Sequence, residues 1–369
     1  MLGAIVIVGS EDAVSSLSSA ETPEPVPLSM PTDRDRGSLL ACVEVLGRSV
    51  LERVLDELRC ASLDAIALLA DDAYAKRVGI GQTLQNASFL FVKDVWAGAA
   101  DALKKYRESG IESSLIIRVS AYAEFDLKEA VQSHGEQREV ITRVFSDQTA
   151  LDIWVVDIAG LNLSSDTPAD LAATLYATPS AHYEVRGYVN HLEHPRDLRR
   201  LVVDSLSNRC RLRPQGLETR PGVWMEGGAD VHRGARIVPP AFVGRGSKIG
   251  EQCLITRCSS VERDSEVDYG TIVEDSSILS NSYVGIGLDV SHAIVQGSTL
   301  LNLERGVALD IADPTLIRRN KSLSMEALRT STLDSASGMS FFVSAEEHRN
   351  ETVARREESD ASSLGDVRF

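Results

Sequence analysis

The feature that most constrains this chain is an apolar repeat of six residues in its C-terminal half. A period of six does not match the 3.6-residue repeat of an amphipathic helix, but it is the period of hexapeptide β-solenoids. A small residue precedes each large aliphatic residue by two positions, so we expect inward-facing aliphatic side chains on flat faces and small residues at tight corners. The aliphatic positions are Val231, Ile237, Val243, Ile249, Ile255, Val261, Val267, Val273 and Leu279, and the small ones are Ala229, Ala235, Ala241, Ser247, Cys253, Ser259, Ser265, Thr271 and Ser277.

The predicted solenoid extends from about residue 223 to residue 301, with one interruption. After Leu279 the register slips, and it restarts at Val284 and Val290. We interpret the slip as a loop or a capping coil.

The chain before the repeat alternates between strand and helix patterns. The run of β-branched residues at Leu2–Val8 is typical of a buried parallel strand. Ser49 and Glu52 form a capping-box pattern at the start of a predicted helix over 49–60. The alternation predicts a doubly wound α/β fold with a mainly parallel sheet. We predict domains at 1–206 and 207–318, a long loop over 10–37, and a largely disordered tail over 319–369.

Charge and cysteine usage restrict the possible partners and the compartment. The net charge of −16 argues against nucleic acid or an anionic membrane as partner, because phosphates would be repelled. The five cysteines have neither zinc-finger nor redox spacing, and the N-terminus lacks a basic region. No apolar run approaches the roughly 20 residues of a membrane span. We therefore expect a soluble cytoplasmic protein with reduced thiols.

Four segments before the repeat resemble the sugar-nucleotide pyrophosphorylases, which make nucleotide sugars from a nucleoside triphosphate and a sugar 1-phosphate. The similar segments are residues 45–70, 97–103, 115–127 and 187–198. The resemblance covers about residues 1–318. It implies a nucleotidyltransferase-like α/β domain followed by a left-handed parallel β-helix, and in active members a Mg²⁺-dependent reaction.

The chemistry of that family is not retained at its key positions. Gly9 is followed by Ser10 and two carboxylates, where the family has a glycine-rich loop with an arginine that serves the triphosphate. The family's P-K-P lysine has no counterpart. Ser120 and His191 stand where the resemblance expects the two metal-binding aspartates, and Mg²⁺ prefers carboxylate oxygens. The span between Ile141 and Trp154 is too short for the family's sugar-recognition insert.

We therefore interpret the chain as a catalytically degenerate homologue with a regulatory or scaffolding role in nucleotide-sugar or polysaccharide synthesis. We expect no cofactor, with Mg²⁺ required only if activity survives. The expected ligand is a nucleotide sugar or a sugar phosphate, and the expected assembly is a homo-oligomer or a hetero-oligomer with an active paralogue. The residues that we predict to contact a ligand are Gly9, Ser10, Asp71, Gly98, Ala99 and Asp101.

Two other functions stay open. One is an active sugar-1-phosphate nucleotidyltransferase, for example of the mannose-1-phosphate guanylyltransferase type, with substitute metal ligands among Asp71, Asp72, Glu124 and Asp126. The other is a hexapeptide-repeat acyltransferase with a histidine as general base. His232 and His292 lie in or beside the repeat, although a surface histidine is the more frequent role of such residues.

Several polar groups have both a functional and a structural interpretation. The segment from His191 to Asp197 could bind a transition metal, but a polar loop and helix start is favoured. Asp71 with Asp72 could start a helix. Trp96 could stack on a base, but core packing is favoured. A basic stretch could dock a phosphate or pair with carboxylates of the same chain, and it comprises Arg196, Arg199, Arg200, Arg209, Arg211 and Arg213.

Overall fold

A computed structural model describes residues 1–8, 42–61, 63–71, 88–92, 94–161 and 169–320. The predictions made for Gly9, Ser10, Asp72 and the loop over 10–37 lie outside the described residues, as does the predicted tail beyond Asn320. Residues Met1–Asn320 form one compact unit.

The N-terminal region is built on a seven-stranded sheet that is mainly parallel, as predicted. Its order is β10-β8-β9-β6-β1-β4-β5, and β9 alone runs antiparallel to its neighbours. The strands of this region are β1 Leu2–Val8, β2 Glu44–Val45, β3 Arg48–Ser49, β4 Ala65–Asp71, β5 Ser88–Val92, β6 Ser113–Arg118, β7 Tyr122–Ala123, β8 Ile141–Ser146, β9 Thr149–Asp157, β10 Ala181–Glu184 and β11 Val189–Asn190. The helices, numbered here among the described residues, are α1 Val50–Cys60, α2 Val95–Glu108, α3 Leu127–Gln137, α4 Ala169–Ala177 and α5 Pro195–Leu206.

The apolar run of β1 is explained by burial on both faces of the sheet. Val6 and its alternate neighbours belong to one core cluster, and Ile5 and Ile7 belong to the other. The capping box of α1 is confirmed, because Glu52 accepts from the backbone N–H of Ser49 at 2.8 Å and the Ser49 hydroxyl accepts from the backbone N–H of Glu52 at 3.2 Å. Local signals of this kind fix elements before any tertiary contact is considered.

The C-terminal half, named here the repeat region (residues 217–320), contains many short strands in parallel sheets. Every third strand joins the same sheet, so strands 18 residues apart in sequence lie side by side. The strands are β12 Leu217–Arg220, β13 Val223–Met225, β14 Asp230–Val231, β15 Arg236–Ile237, β16 Ala241–Val243, β17 Lys248–Ile249, β18 Leu254–Thr256, β19 Ser259–Val261, β20 Glu266–Val267, β21 Ile272–Glu274, β22 Ser277–Ile278, β23 Ser282–Val284, β24 Asp289–Ser291, β25 Ala293–Gln296, β26 Thr299–Asn302, β27 Val307–Asp310 and β28 Ile317–Arg319.

The six-residue period is confirmed up to Val273, but its last predicted position is wrong. Ile278, rather than Leu279, lies opposite Val261 and joins the core of the repeat region. Leu279 instead packs in the cluster shared with the α/β region. The step from Val273 to Ile278 is five residues instead of six, so the pairings that span it have a spacing of 17, as between Val267 and Val284. The slip is therefore a one-residue deletion within the stack rather than a loop or capping coil.

The small residues do more than fit corners, because their hydroxyl groups join one coil to the next. The Ser265 hydroxyl donates to the Leu279 carbonyl at 2.9 Å and accepts from the Ser282 backbone N–H at 3.3 Å. Six residues earlier, the Ser259 hydroxyl makes the equivalent contacts with the Val273 carbonyl and the Ser276 backbone N–H. These hydroxyls satisfy backbone groups inside the stack that water cannot reach.

Antiparallel strands close the two ends of the repeat region. Strand β12 pairs with β13 at the beginning, while β26 and β27 extend the sheet of β25 at the end. Strand β28 pairs with β23. Among the described residues, no helix combines the length and the apolar character needed to cross a membrane.

Candidate functional site

The α/β region has a topological switch point at its central strand. From β1 the chain adds β4 and β5 on one side and then crosses to β6 on the other. Open α/β sheets bind ligands outside the carboxyl ends of such strands. Gly9, which follows β1, lies outside the described residues, and Ser120 follows β6 directly.

The structure brings Ser120 and His191 to one end of a small two-stranded sheet. Strands β7 and β11 pair antiparallel, with Tyr122 opposite Asn190 and Ala123 opposite Val189. Ser120 lies two residues before Tyr122 and His191 lies one residue after Asn190, so both flank the same end of this small sheet. Ser120 is exposed and His191 is half-buried. The two positions that the resemblance assigns to metal-binding aspartates therefore lie at the same end of this sheet, but they carry a hydroxyl and an imidazole.

Neighbouring carboxylates, proposed above as substitute metal ligands, have structural partners. Asp126 caps α3 by accepting from the backbone N–H groups of Lys128, at 2.8 Å, and Glu129. Glu124 is buried and accepts from the Tyr122 hydroxyl at 2.8 Å and from the Arg211 backbone N–H. Asp126 therefore serves as a helix cap, and Glu124 serves as a buried hydrogen-bond acceptor.

The predicted ligand contacts on α2 are divided between core and surface. Gly98 faces Val92, where an added Cβ would meet a Val92 methyl carbon at 3.1 Å, and Ala99 is fully buried. Asp101 is exposed and pairs with Lys104 at 3.8 Å. Asp71 ends β4 at the carboxyl edge of the sheet. The packing of Gly98 against Val92 and the burial of Ala99 explain these small residues without a ligand.

Core packing accounts for Trp96, as favoured above. It is buried and makes edge-to-face contacts with Trp154 and Tyr176 at centroid distances of 6.3 and 6.1 Å.

The segment from His191 to Asp197 forms a helix start. Asp197 accepts from the backbone N–H of His194 at 2.9 Å, and Pro195 begins α5. Within the described ranges, His, Cys, Asp and Glu side chains form no group of three that could hold a metal ion.

The basic stretch divides into two sets with different surroundings. Arg209 pairs with Asp204 at 2.8 Å, Arg211 lies 4.0 Å from Glu124, and Arg213 donates to the Cys210 carbonyl. The other three arginines project from α5 into a cavity of about 520 Å³ against the repeat region. The cavity is lined by Arg196, Arg199, Arg200, Val203, Asp275, His292, Leu303 and Glu304.

Arg199 lines this cavity and joins α5 to the repeat region through hydrogen bonds. It is 5% exposed, and it donates to the carbonyls of Cys258 at 2.7 Å, Arg257 at 3.1 Å and Asp275 at 3.2 Å. Its Nη2 also lies 2.7 Å from the Asp275 carboxylate. Burial lowers the pKa of Arg199, and the Asp275 contact opposes that shift. The acceptor carbonyls lie at coil corners, where Arg257, Cys258 and Asp275 have positive φ.

His292 extends this contact chain toward solvent. Its Nδ1 lies 2.7 Å from the second carboxylate oxygen of Asp275, so Asp275 holds both Arg199 and His292. A carboxylate at Nδ1 fixes the orientation of an imidazole ring. His232 differs, because its Nδ1 accepts from the Gly234 backbone N–H at 3.1 Å in an exposed turn.

A second contact between the two regions lies at the hairpin of β2 and β3. Glu262 of the repeat region is fully buried, and its two carboxylate oxygens accept from the backbone N–H groups of Leu46 and Gly47, each at 2.9 Å. Burial raises the pKa of Glu262 to about 8, although the two N–H donors act in the opposite direction. Glu44 of the same hairpin contacts Ser280 and lies 3.6 Å from Arg263.

Neither Glu262 nor Asp275 was predicted as an important residue. The chain matches no protein-family model, and a search of curated proteins finds no significant relative.

Proposed function

We propose that this protein is a catalytically degenerate homologue of the sugar-nucleotide pyrophosphorylases, with a regulatory or scaffolding role in nucleotide-sugar or polysaccharide synthesis. In this proposal the α/β region is nucleotidyltransferase-like and the repeat region is a left-handed β-helix. The observation that supports the proposal is that Ser120 and His191 flank the same end of the β7–β11 sheet, just after the switch-point strand β6.

The residue types at this edge do not fit Mg²⁺. A nucleotidyl transfer needs Mg²⁺ to neutralise the phosphates, and Mg²⁺ binds carboxylate oxygens in near-octahedral geometry. Ser120 and His191 supply a neutral hydroxyl and a nitrogen ligand, while Glu124 and Asp126 are engaged by Tyr122 and by the start of α3. An edge of this kind can still bind a sugar or a nucleotide through hydrogen bonds.

A degenerate homologue acts through what it binds. We propose a nucleotide sugar or sugar phosphate as ligand and an oligomer, either of this chain or with an active paralogue, in the cytoplasm. The repeat region supports an assembly role, because its stacked strands present long, regular surfaces.

The test is a pyrophosphate-release assay over a panel of nucleoside triphosphates and sugar 1-phosphates with Mg²⁺. We expect no turnover above background, together with a rise in melting midpoint for at least one nucleotide sugar. Turnover with any pair would reject the degenerate assignment and favour the active nucleotidyltransferase. Absence of both turnover and nucleotide-sugar binding would reject the proposed ligand class.

One observation favours the acyltransferase as a second candidate. The contact between His292 and Asp275 resembles the base and orienting carboxylate of general-base catalysis, and both residues line the cavity at α5. Acetyl-CoA consumption that disappears in His292→Ala and persists in His232→Ala would support this candidate over the first.

A further inference from the structure

The cavity between α5 and the repeat region has an excess of positive charge in an acidic protein. Three arginines line it against two carboxylates, Asp275 and Glu304. Asp275 is already shared by Arg199 and His292. Because the whole chain carries a net charge of −16, an anion is attracted here by local groups and not by the overall field.

Two of the three arginines of the cavity are held in place before any ligand arrives. Arg199 is fixed by coil carbonyls on the cavity floor. Arg196 is oriented by the Leu303 carbonyl, which accepts from its Nε at 3.1 Å and from its Nη2 at 2.7 Å. Fixed guanidinium groups lose little conformational freedom on binding and suit phosphate oxygens.

Arg200 has the most capacity to bind a ligand. Its side chain is 69% exposed, and in the described part of the chain it makes one ion pair, from Nε to Asp204 at 3.5 Å. Asp204 is satisfied independently by Arg209 at 2.8 Å and by the Tyr188 hydroxyl at 2.6 Å. Arg200 can therefore turn to a ligand without leaving Asp204 unpaired.

We infer that this cavity binds a small organic phosphate monoester, with Arg196, Arg200 and His292 contacting the phosphate. Val203 and Leu303 add an apolar wall, which suits a ligand with a carbon skeleton better than a bare ion. The volume of about 520 Å³ lies in the usual range of small-molecule sites. A ligand here touches both α5 and the repeat region, so binding stabilises their contact.

This inference does not rest on the proposed function, because it uses no residue of the switch-point edge. Rejecting one proposal therefore does not reject the other. The pyrophosphate-release assay does not test Arg200, and phosphate binding at α5 does not test Ser120.

The test is isothermal titration of the full chain with glycerol 3-phosphate, inorganic phosphate and neutral glycerol. We expect saturable binding of glycerol 3-phosphate, weaker binding of inorganic phosphate, and no binding of glycerol. Replacing Arg200 with Gln should weaken glycerol 3-phosphate binding by about tenfold, the loss expected for one charged hydrogen bond. His292→Gln should weaken it by a smaller factor.

Arg209→Gln is the matched control, since Arg209 pairs with the same Asp204 but does not line the cavity. It should bind glycerol 3-phosphate as the unmodified chain does. Equal weakening in Arg200→Gln and Arg209→Gln, or absence of saturable glycerol 3-phosphate binding, would overturn the inference. Stronger binding of inorganic phosphate than of the monoester would reject the organic ligand class.

Discussion

The two junctions between the α/β region and the repeat region use opposite chemistry. At α5 a buried cation, Arg199, reaches from the α/β side to carbonyl groups exposed at the coil corners. At the β2–β3 hairpin a buried carboxyl group, that of Glu262, reaches from the repeat side and accepts from two backbone N–H groups. In both cases a buried side chain from one region satisfies main-chain groups of the other, as donor at α5 and as acceptor at the hairpin.

The difference lies in how the two junctions respond to solvent conditions. An arginine stays charged at any accessible pH, so the α5 junction keeps its contacts. A buried glutamate titrates, and the raised pKa of Glu262 places its titration in the physiological range. The α5 junction therefore provides constant attachment, and the hairpin junction is the part that pH can loosen.

The largest effect is expected from breaking the α5 junction with Arg199→Ala. The change removes the Arg199 donor from three carbonyl groups and one of the two partners of the Asp275 carboxylate. Removing one partner of a buried ionic contact costs about 3–5 kcal/mol. The free energy of unfolding from urea titration measures this loss.

Arg209→Ala serves as the comparison, because Arg209 is largely exposed and should contribute at most about 1 kcal/mol. Similar losses in the two variants would show that burial of Arg199 does not anchor α5.

At the hairpin junction, Glu262→Gln keeps the shape of the side chain but replaces one acceptor oxygen with a donor. That NH₂ group then faces a backbone N–H of Leu46 or Gly47, so one buried donor is left unsatisfied. The expected loss is about 1–3 kcal/mol in the free energy of unfolding. A more stable Glu262→Gln protein would mean that desolvation of the carboxylate outweighs its two hydrogen bonds.

The pH dependence of stability should separate the two junctions. Glu262 has a raised pKa in the folded state, so the folded protein binds its proton more tightly than the unfolded chain does. The stabilising contribution of Glu262 is complete below about pH 4.5 and is lost as the pH rises toward about 8. Burial also raises the pKa of nearby Glu44, which adds to the same trend.

We expect the free energy of unfolding to fall less steeply with pH in Glu262→Gln than in the unmodified chain, and equally steeply in Arg199→Met. Urea unfolding at several pH values from 5 to 8.5 measures this dependence. The same slope in Glu262→Gln and the unmodified chain would assign the pH response to other groups.

The smallest effect is expected for a hydrogen bond between two coils of the repeat region. Ser265→Ala removes a hydroxyl that donates to the Leu279 carbonyl and accepts from the Ser282 N–H. The expected cost is about 1 kcal/mol. Because the contact lies within the stack, the loss should be equal at pH 5 and pH 8, which thermal unfolding at both values can check.

The sequence predicted features that depend on local order along the chain. The six-residue period predicted regularly spaced inward-facing aliphatic residues, and Ser49 with Glu52 predicted the start of α1. The continuous apolar run at β1 predicted a strand buried on both faces. Such features follow from periodicity and short-range hydrogen bonding, so neighbouring residues contain the information.

The one-residue shortening of the stack was placed wrongly because the sequence offers two acceptable registers there. Both Ile278 and Leu279 are large aliphatics, and both Ser276 and Ser277 are small. Contacts with the coil before and the α/β region beside it decide that Ile278 faces inward and Leu279 faces outward.

The polar junctions depended on tertiary structure alone. Glu262, Asp268 and Glu274 occupy the same position of successive repeats, and only the hairpin of β2 and β3 buries the first of them completely. In the same way, six arginines are close together in sequence, but the contact of α5 with the coil corners selects three of them for one cavity. The sequence by itself determined the strands, the helices and the repeat. Which charged groups became buried or faced a cavity was decided by the docking of the two regions, because burial of a side chain depends on surfaces that come from distant parts of the chain.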